Sequence, residues 1–295
     1  MRRSSLVGAA LAMVASTIMV GSSGAAGSSG AVAPESRDKV EKVKVLSASW
    51  GTDNGVSCPR GVSNLDNLPV TFNSFIKRSS IQVTDFVITR SDGTTVRPTC
   101  ALQFPPDERD ERQTVNLIGN FGTPVTGPIP ATVQMVGALR AKAIGGLRWH
   151  RVGKLPSIKA DPLAGGPFIT DAWQLTERLY KNDQNRCTTG STFIRVMWSN
   201  GLTAYATGEE VGAAVTDSYR AVFKLANGKR KSFAPLAVAD LYDHSTAANA
   251  DNMHDLCLDD IPRGAKLHGI TIGADLIQDP NGDPNRAQHY GVPRR

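Results

Sequence analysis

A chain of 295 residues with 33 Lys and Arg against 27 Asp and Glu carries a formal charge of +6. The charges are dispersed, Lys229-Arg230-Lys231 and Arg294-Arg295 being the nearest to runs, and aromatics make up 6%. A nucleic-acid surface would want a basic stripe with interleaved aromatics, so that partner class is excluded, while the length admits two small domains or one large one.

The chain opens on Arg2-Arg3, then the uncharged and mostly apolar stretch 6–20, then Gly21-Ser22-Ser23-Gly24-Ala25-Ala26. A basic start, a short apolar core and small exit residues predict a secretory signal peptide and small-residue spacer over 1–33. Cleavage is expected near Ala25 or Ala26; Ala31-Val32-Ala33 also fits, but Pro34 follows it directly. The paired arginines raise the twin-arginine route, which Ser4-Ser5-Leu6 matches poorly, so ordinary secretion is favoured. The apolar run is short for a membrane anchor, and the expectation is a secreted, extracellular protein with no stable membrane span after cleavage. Losing Arg2 and Arg3 from the 33 basic residues leaves 31 against 27 acidic ones.

The charged lead-in 36–44 is followed by short apolar runs at 45–48, 68–72, 86–89, 94–96, 115–118 and 131–139. Ser91-Asp92-Gly93 is a hairpin turn signal, and strands spaced in this way by turn residues predict an all-β sandwich. The stretch 145–168 is rich in Gly, Pro and Lys, and residues 143–185 are predicted to link two domains. Thr170 or Asp171 could open a short helix carrying Ala172, Leu175 and Leu179 on one face; the same residues also suit a strand. Runs at 193–198, 219–225, 236–241, 255–258 and 267–272 follow, with Asn227-Gly228 as a second turn. The polar, proline-rich 279–295 is expected to be a loose tail.

The two stretches share an order. Cys58, Val70-Thr71-Phe72, Phe86-Val87-Ile88, Asp92-Gly93 and Val115-Asn116-Leu117 are echoed by Cys187, Val196-Met197-Trp198, Ala221-Val222-Phe223, Asn227-Gly228 and Leu256-Cys257-Leu258. Such self-similarity predicts two copies of one unit, over 45–142 and 186–278. Trp198 then aligns with Phe72 as a core residue, while Trp149 and Trp173 are placed to pack the copies together or to line a groove. Four cysteines in an exported chain suit two bridges, and four allow three connectivities. Two fall in each copy, which points to Cys58–Cys100 and Cys187–Cys257, although their partners do not align between the copies.

Leu68-Pro69-Val70-Thr71-Phe72, Asp85-Phe86-Val87-Ile88 and Asp92-Gly93 resemble the immunoglobulin-like repeats of secreted and cell-surface bacterial proteins. The resemblance covers 58–117 and extends to 187–258. It implies two tandem immunoglobulin-like β-sandwich domains serving as spacer or binding module, and such repeats share no catalytic residues.

The densest polar set is Asp240, Asp243, His244, Asp251, Asn252, His254, Asp255, Asp259 and Asp260. Its readings are a solvated loop of turns, a cation site for calcium or zinc, or a catalytic loop. Asp279-Pro280-Asn281-Gly282-Asp283-Pro284-Asn285 begins like an EF-hand loop, but Pro284 stands where glycine is required and Tyr290 where the bidentate glutamate belongs. Calcium, if bound, would fall to Asp251, Asp255, Asp279 and Asp283. There is no GxSxG elbow, HExxH helix or CxxC pair. The expected function is therefore a secreted, non-enzymatic binding or spacer protein for a protein or cell-surface ligand, without a cofactor. Asp240, Asp243, His244 and His254 would form its contact loop. The alternatives are an extracellular hydrolase using loop 240–260 and a calcium-stabilised surface module.

Overall fold

The alternation of apolar and polar residues sets the inward and outward faces of the strands. The computed structural model describes residues 42–293, leaving out 60, 104–110, 124, 177–186, 209–212 and 241–251. Residues 1–33, where a signal peptide is expected, lie outside the described residues. In the first half, β1 (Val45–Val56), β2 (Leu65–Phe72), β3 (Ser74–Ile76), β4 (Phe86–Arg90), β5 (Thr95–Val96) and β6 (Cys100–Leu102) come first. They are followed by β7 (Thr114–Gly119), β8 (Pro130–Met135), β9 (Leu139–Ala143), β10 (His150–Val152), β11 (Ile158–Lys159) and β12 (Asp161–Pro162). The second half holds β13 (Ile169–Gln174), β14 (Thr192–Trp198), β15 (Thr203–Ala204), helix α1 (Ala213–Ser218), β16 (Arg220–Lys224) and β17 (Arg230–Phe233). It continues through β18 (Ala237–Asp240), β19 (Met253–Leu258), β20 (Lys266–Ile272), β21 (Ile277–Gln278) and β22 (Gln288–Gly291).

The protein is all-β, with several sheets in each half. In the first, β1-β2-β7-β6 faces β5-β4-β8-β11; in the second, β13-β14-β19-β18 faces β17-β16-β20-β22. Each pair of sheets closes on its own core. Leu68, Val70, Phe72, Phe86, Ile88, Val115, Leu117 and Val133 build the first. Ile194, Val196, Trp198, Ala221, Phe223, Leu256 and Ile270 build the second. Register places Phe72 and Trp198 at matching ends of β2 and β14, since Val70 faces Val115 as Val196 faces His254. Both hairpin turns take the same form. Gly93 and Gly228 sit at φ +83° and +81°, where a side chain would be strained, and Asp92 and Asn227 accept from the N–H of Thr94 and Lys229.

Each half carries one bridge, Cys58–Cys100 and Cys187–Cys257. Both tie the chain leading into β2 or β14 to the same sheet, but one lands on β6 and the other on β19. Cys100 faces Ile118 across β6–β7, while Cys257 faces Ala237 across β18–β19. The anchor points are therefore cross-strand neighbours at corresponding places.

Two stretches differ from their sequence expectation. Residues 143–185 carry strands β10 to β13 rather than a plain connection: β12 runs parallel to β1, and β13 pairs with β14. Of the helix and strand readings of Asp171, the structure takes the strand. The polar end of the chain is not loose among the described residues, because β22 pairs with β20 and the Gln288 amide bonds Ile169 N–H and Pro167 C=O. Proline and glycine are tolerated here since β12 and β22 are edge strands.

The halves are joined along a buried seam, and Lys39–Arg295 forms one compact unit. Trp173, Leu175, Met197 and Met253 of the second half pack with Leu46 and Ile144 of the first. A register shift between Val45 and Ser47 frees Leu46 to face this seam, while Ala48 and Trp50 face the first core. Asn252 Nδ2 donates to Thr114 Oγ1 at 3.3 Å, and Thr114 lies 3.2 Å from Thr71 Oγ1.

Candidate functional site

Strand β19 sends neighbouring polar residues to opposite faces. His254 points into the second core beside Leu256 and Leu258, while Asp255 points to the seam with Met253. His254 Nδ1 lies 2.9 Å from Tyr219 Oη, and Trp198 Nε1 donates to the same oxygen at 3.1 Å. Trp198 fills one lone pair of the phenol oxygen, leaving its hydrogen for the neutral imidazole. All three rings are sealed, and His254 meets Trp198 and Tyr219 edge-on. Burial lowers the His254 pKa to about 4 and raises that of Tyr219 well above its usual value. At 1% exposure the His254 ring is closed off from bulk solvent in this fold.

This sets a pH dependence. An unfolded histidine titrates near 6.5, so between about pH 6.5 and 4 the unfolded chain binds a proton that the folded chain refuses. The stability contribution is full above that window and falls as pH drops through it, by about 3 kcal/mol. Urea unfolding from about pH 7 to 4 is expected to show this slope in wild type and to lose it in His254→Leu. An equal slope in both would place the acid sensitivity elsewhere.

Asp255 is clasped by Arg195, its direct partner across β14–β19. Nε donates to Oδ1 and Nη2 to Oδ2, each at 2.9 Å, and both side chains are almost wholly enclosed. With both oxygens engaged, Asp255 does not present a free carboxylate to a cation. Backbone places Asp240 opposite His254 in β18. Asp243, His244 and Asp251 lie outside the described residues. Asp259 accepts from Ser191 Oγ at 2.6 Å on the surface, and Asp260 occupies a turn at φ +55°.

The oxygen-rich run 279–285 is a hairpin closure. Asp279 Oδ1 accepts from the N–H groups of Asn281 and Asp283, at 2.9 and 3.1 Å. Desolvation raises the Asp279 carboxyl pKa. Asn285 uses its whole amide: Oδ1 accepts from Leu276 and Ile277 N–H, and Nδ2 donates to Gly273 and Arg286 C=O. Among the described residues, no three His, Cys, Asp or Glu gather as a metal set. Melting is expected to be unchanged between calcium and EDTA. A cation held at a hundredfold its Kd would add about 2.7 kcal/mol, and a rise of that size would direct attention to 241–251.

Among the described residues, two open cavities border the sheet β10-β9-β3 of the first half. Leu139 and Ala141 of β9 enter the core, which turns Arg140 and Lys142 outward. Arg151 stands directly opposite Arg140 across β9–β10, and both are exposed. Among the described residues neither guanidinium has a hydrogen-bond or ion-pair partner. They line a cavity of about 550 Å3 with Ser80, Gln82, Asp85 and Ala138. Asp85 is held by backbone, its oxygens accepting from Gln82 N–H at 3.0 Å and Ala138 N–H at 3.3 Å. Gly137 is required beside it, because an added Cβ would fall 1.9 Å from Asp85 Oδ1. Arg151 also borders a second cavity of about 250 Å3 with Lys42, His150 and Lys154. Lys142 Nζ sits 5.5 Å from the Phe75 ring and 5.2 Å from that of Trp149.

Sequence reading passed over this face. Its signal is the alternation Leu139-Arg140-Ala141-Lys142-Ala143, which becomes informative only once His150–Val152 is known to pair with it. No family profile and no curated protein sequence matches the chain. No helix among the described residues is long and apolar enough to cross a membrane.

Proposed function

We propose that the chain is a secreted, non-enzymatic binding protein built from two tandem immunoglobulin-like sandwiches. The observation that carries the reading is the repeated strand order. The arrangement β1-β2-β7-β6 against β5-β4-β8-β11 corresponds to strands A-B-E-D against C′-C-F-G of that fold, and the second half follows it. Each copy has its own bridge, as suits an oxidising compartment. His254 and Asp255, two described members of the Asp/His set that would serve a hydrolase, are engaged in the core and the seam. The seam fixes the copies against each other, so loops and sheet faces are presented as one rigid surface.

The test is saturable binding of the mature, oxidised chain to intact cells and to isolated extracellular polymers. The expected result is attachment that disappears when the bridges are reduced and the chain unfolds. A folded chain that saturates on none of them would overturn the binding role. His254→Ala separates the hydrolase reading: it is expected to lower the melting temperature, whereas a catalytic histidine would lose turnover on a substrate with the melting temperature kept.

A further inference from the structure

We infer that the β3–β9–β10 face of the first half recognises the acidic groups of an anionic glycan, with Arg140 and Arg151 gripping one carboxylate or sulfate between them. This rests on the binding reading above and names its ligand class.

Two arginines directly opposite each other on neighbouring strands repel, and an anion held between them relieves that repulsion. No described carboxylate serves that purpose: Asp85, the acid of the cavity, spends its oxygens on backbone N–H groups. The guanidinium forks are free among the described residues and open to a cavity of about 550 Å3. A planar fork matches a carboxylate or sulfate through paired N–H donors. Because Arg151 also borders the second cavity, the cationic surface continues to Lys154 and Lys42. Several charges in line suit a polymer with repeated acidic groups better than a single small ion.

Trp149 favours sugar over base. It flanks the arginines as one half-buried ring beside Lys142, while Phe75 is only 8% exposed. A single-stranded nucleic acid would need a series of open rings for successive bases; a pyranose needs one apolar ledge beside its charged group.

The experiment titrates the mature, oxidised protein with heparin, polygalacturonate, neutral dextran and single-stranded DNA. Saturable binding to heparin or polygalacturonate is expected, weakening steeply with salt, and binding to polygalacturonate, which carries carboxylates alone, shows that carboxylates suffice. Arg140→Ala/Arg151→Ala is expected to weaken it about tenfold or more with the melting temperature kept. The control is Lys224→Ala/Arg230→Ala, which removes a facing cationic pair from β16–β17 in the other half and is expected to change little. Equal losses in the two double variants would mean unspecific attraction and overturn the inference. Tighter binding of DNA than of either acidic glycan would overturn it too. Binding to cells or dextran without binding to acidic glycans would sink this ligand assignment alone, leaving the binding role in place.

Discussion

Asp255→Ala is expected to cost about 3–5 kcal/mol, among the largest losses a single side chain can produce in this protein. Arg195 loses the carboxylate to which both Nε and Nη2 donate, beneath the side chains of Trp173, Met197 and Met253. It cannot turn to water without opening the seam. A double variant, Arg195→Met with Asp255→Leu, is expected to recover most of the loss, because a buried ion pair adds little over apolar groups of similar volume. The first half supports this: the corresponding cross-strand place holds Pro69 opposite Asn116, so the strand order does not need the pair. Urea unfolding of the three proteins decides it. A single variant within about 1 kcal/mol of wild type would mean that Arg195 finds water or another partner.

Removing the second bridge, with Cys187→Ala/Cys257→Ala, is expected to cost about 4 kcal/mol on the chain-entropy model, since it spans 70 residues. The first bridge spans 42, and the logarithm makes its contribution only slightly smaller. Access separates them more than energy. Cys257 is wholly buried in a central strand, whereas Cys100 lies half-buried on edge strand β6. Mild reductant followed by alkylation and mass analysis is therefore expected to label Cys58 and Cys100 first. Labelling of both pairs at one rate would mean that the whole unit opens before either sulfur is reached.

Much of the β character was legible because it is written in neighbouring residues. Asp92-Gly93 and Asn227-Gly228 demand their turns locally, and Val70/Phe72 and Val196/Trp198 alternate as half-core strands do. What stayed hidden depends on distant partners. Strands β10 to β12 are two or three residues long and exist through β9, β8 and β1. The tail becomes strand β22 only because β20 offers an edge. The Asp/His set looked like one cluster in the sequence, yet a single step along β19 separates His254 from Asp255 by the thickness of a sheet. Conversely, Arg140 and Arg151 are eleven positions apart in the chain and face each other in the fold.

The bridges also decide how the protein responds to pulling. Tension applied on either side of Cys58 and Cys100 passes through the sulfurs, so the stretch between them, a sequence separation of 42 and about 150 Å when extended, cannot be drawn out. The second bridge withholds 70 residues in the same way, about 245 Å. The closed loops hold β2 to β5 in one half and β14 to β18 in the other. Such a chain would lengthen by a limited, preset amount under load and then stop. While oxidised, it can act as a tether whose maximum reach is set by four cysteines.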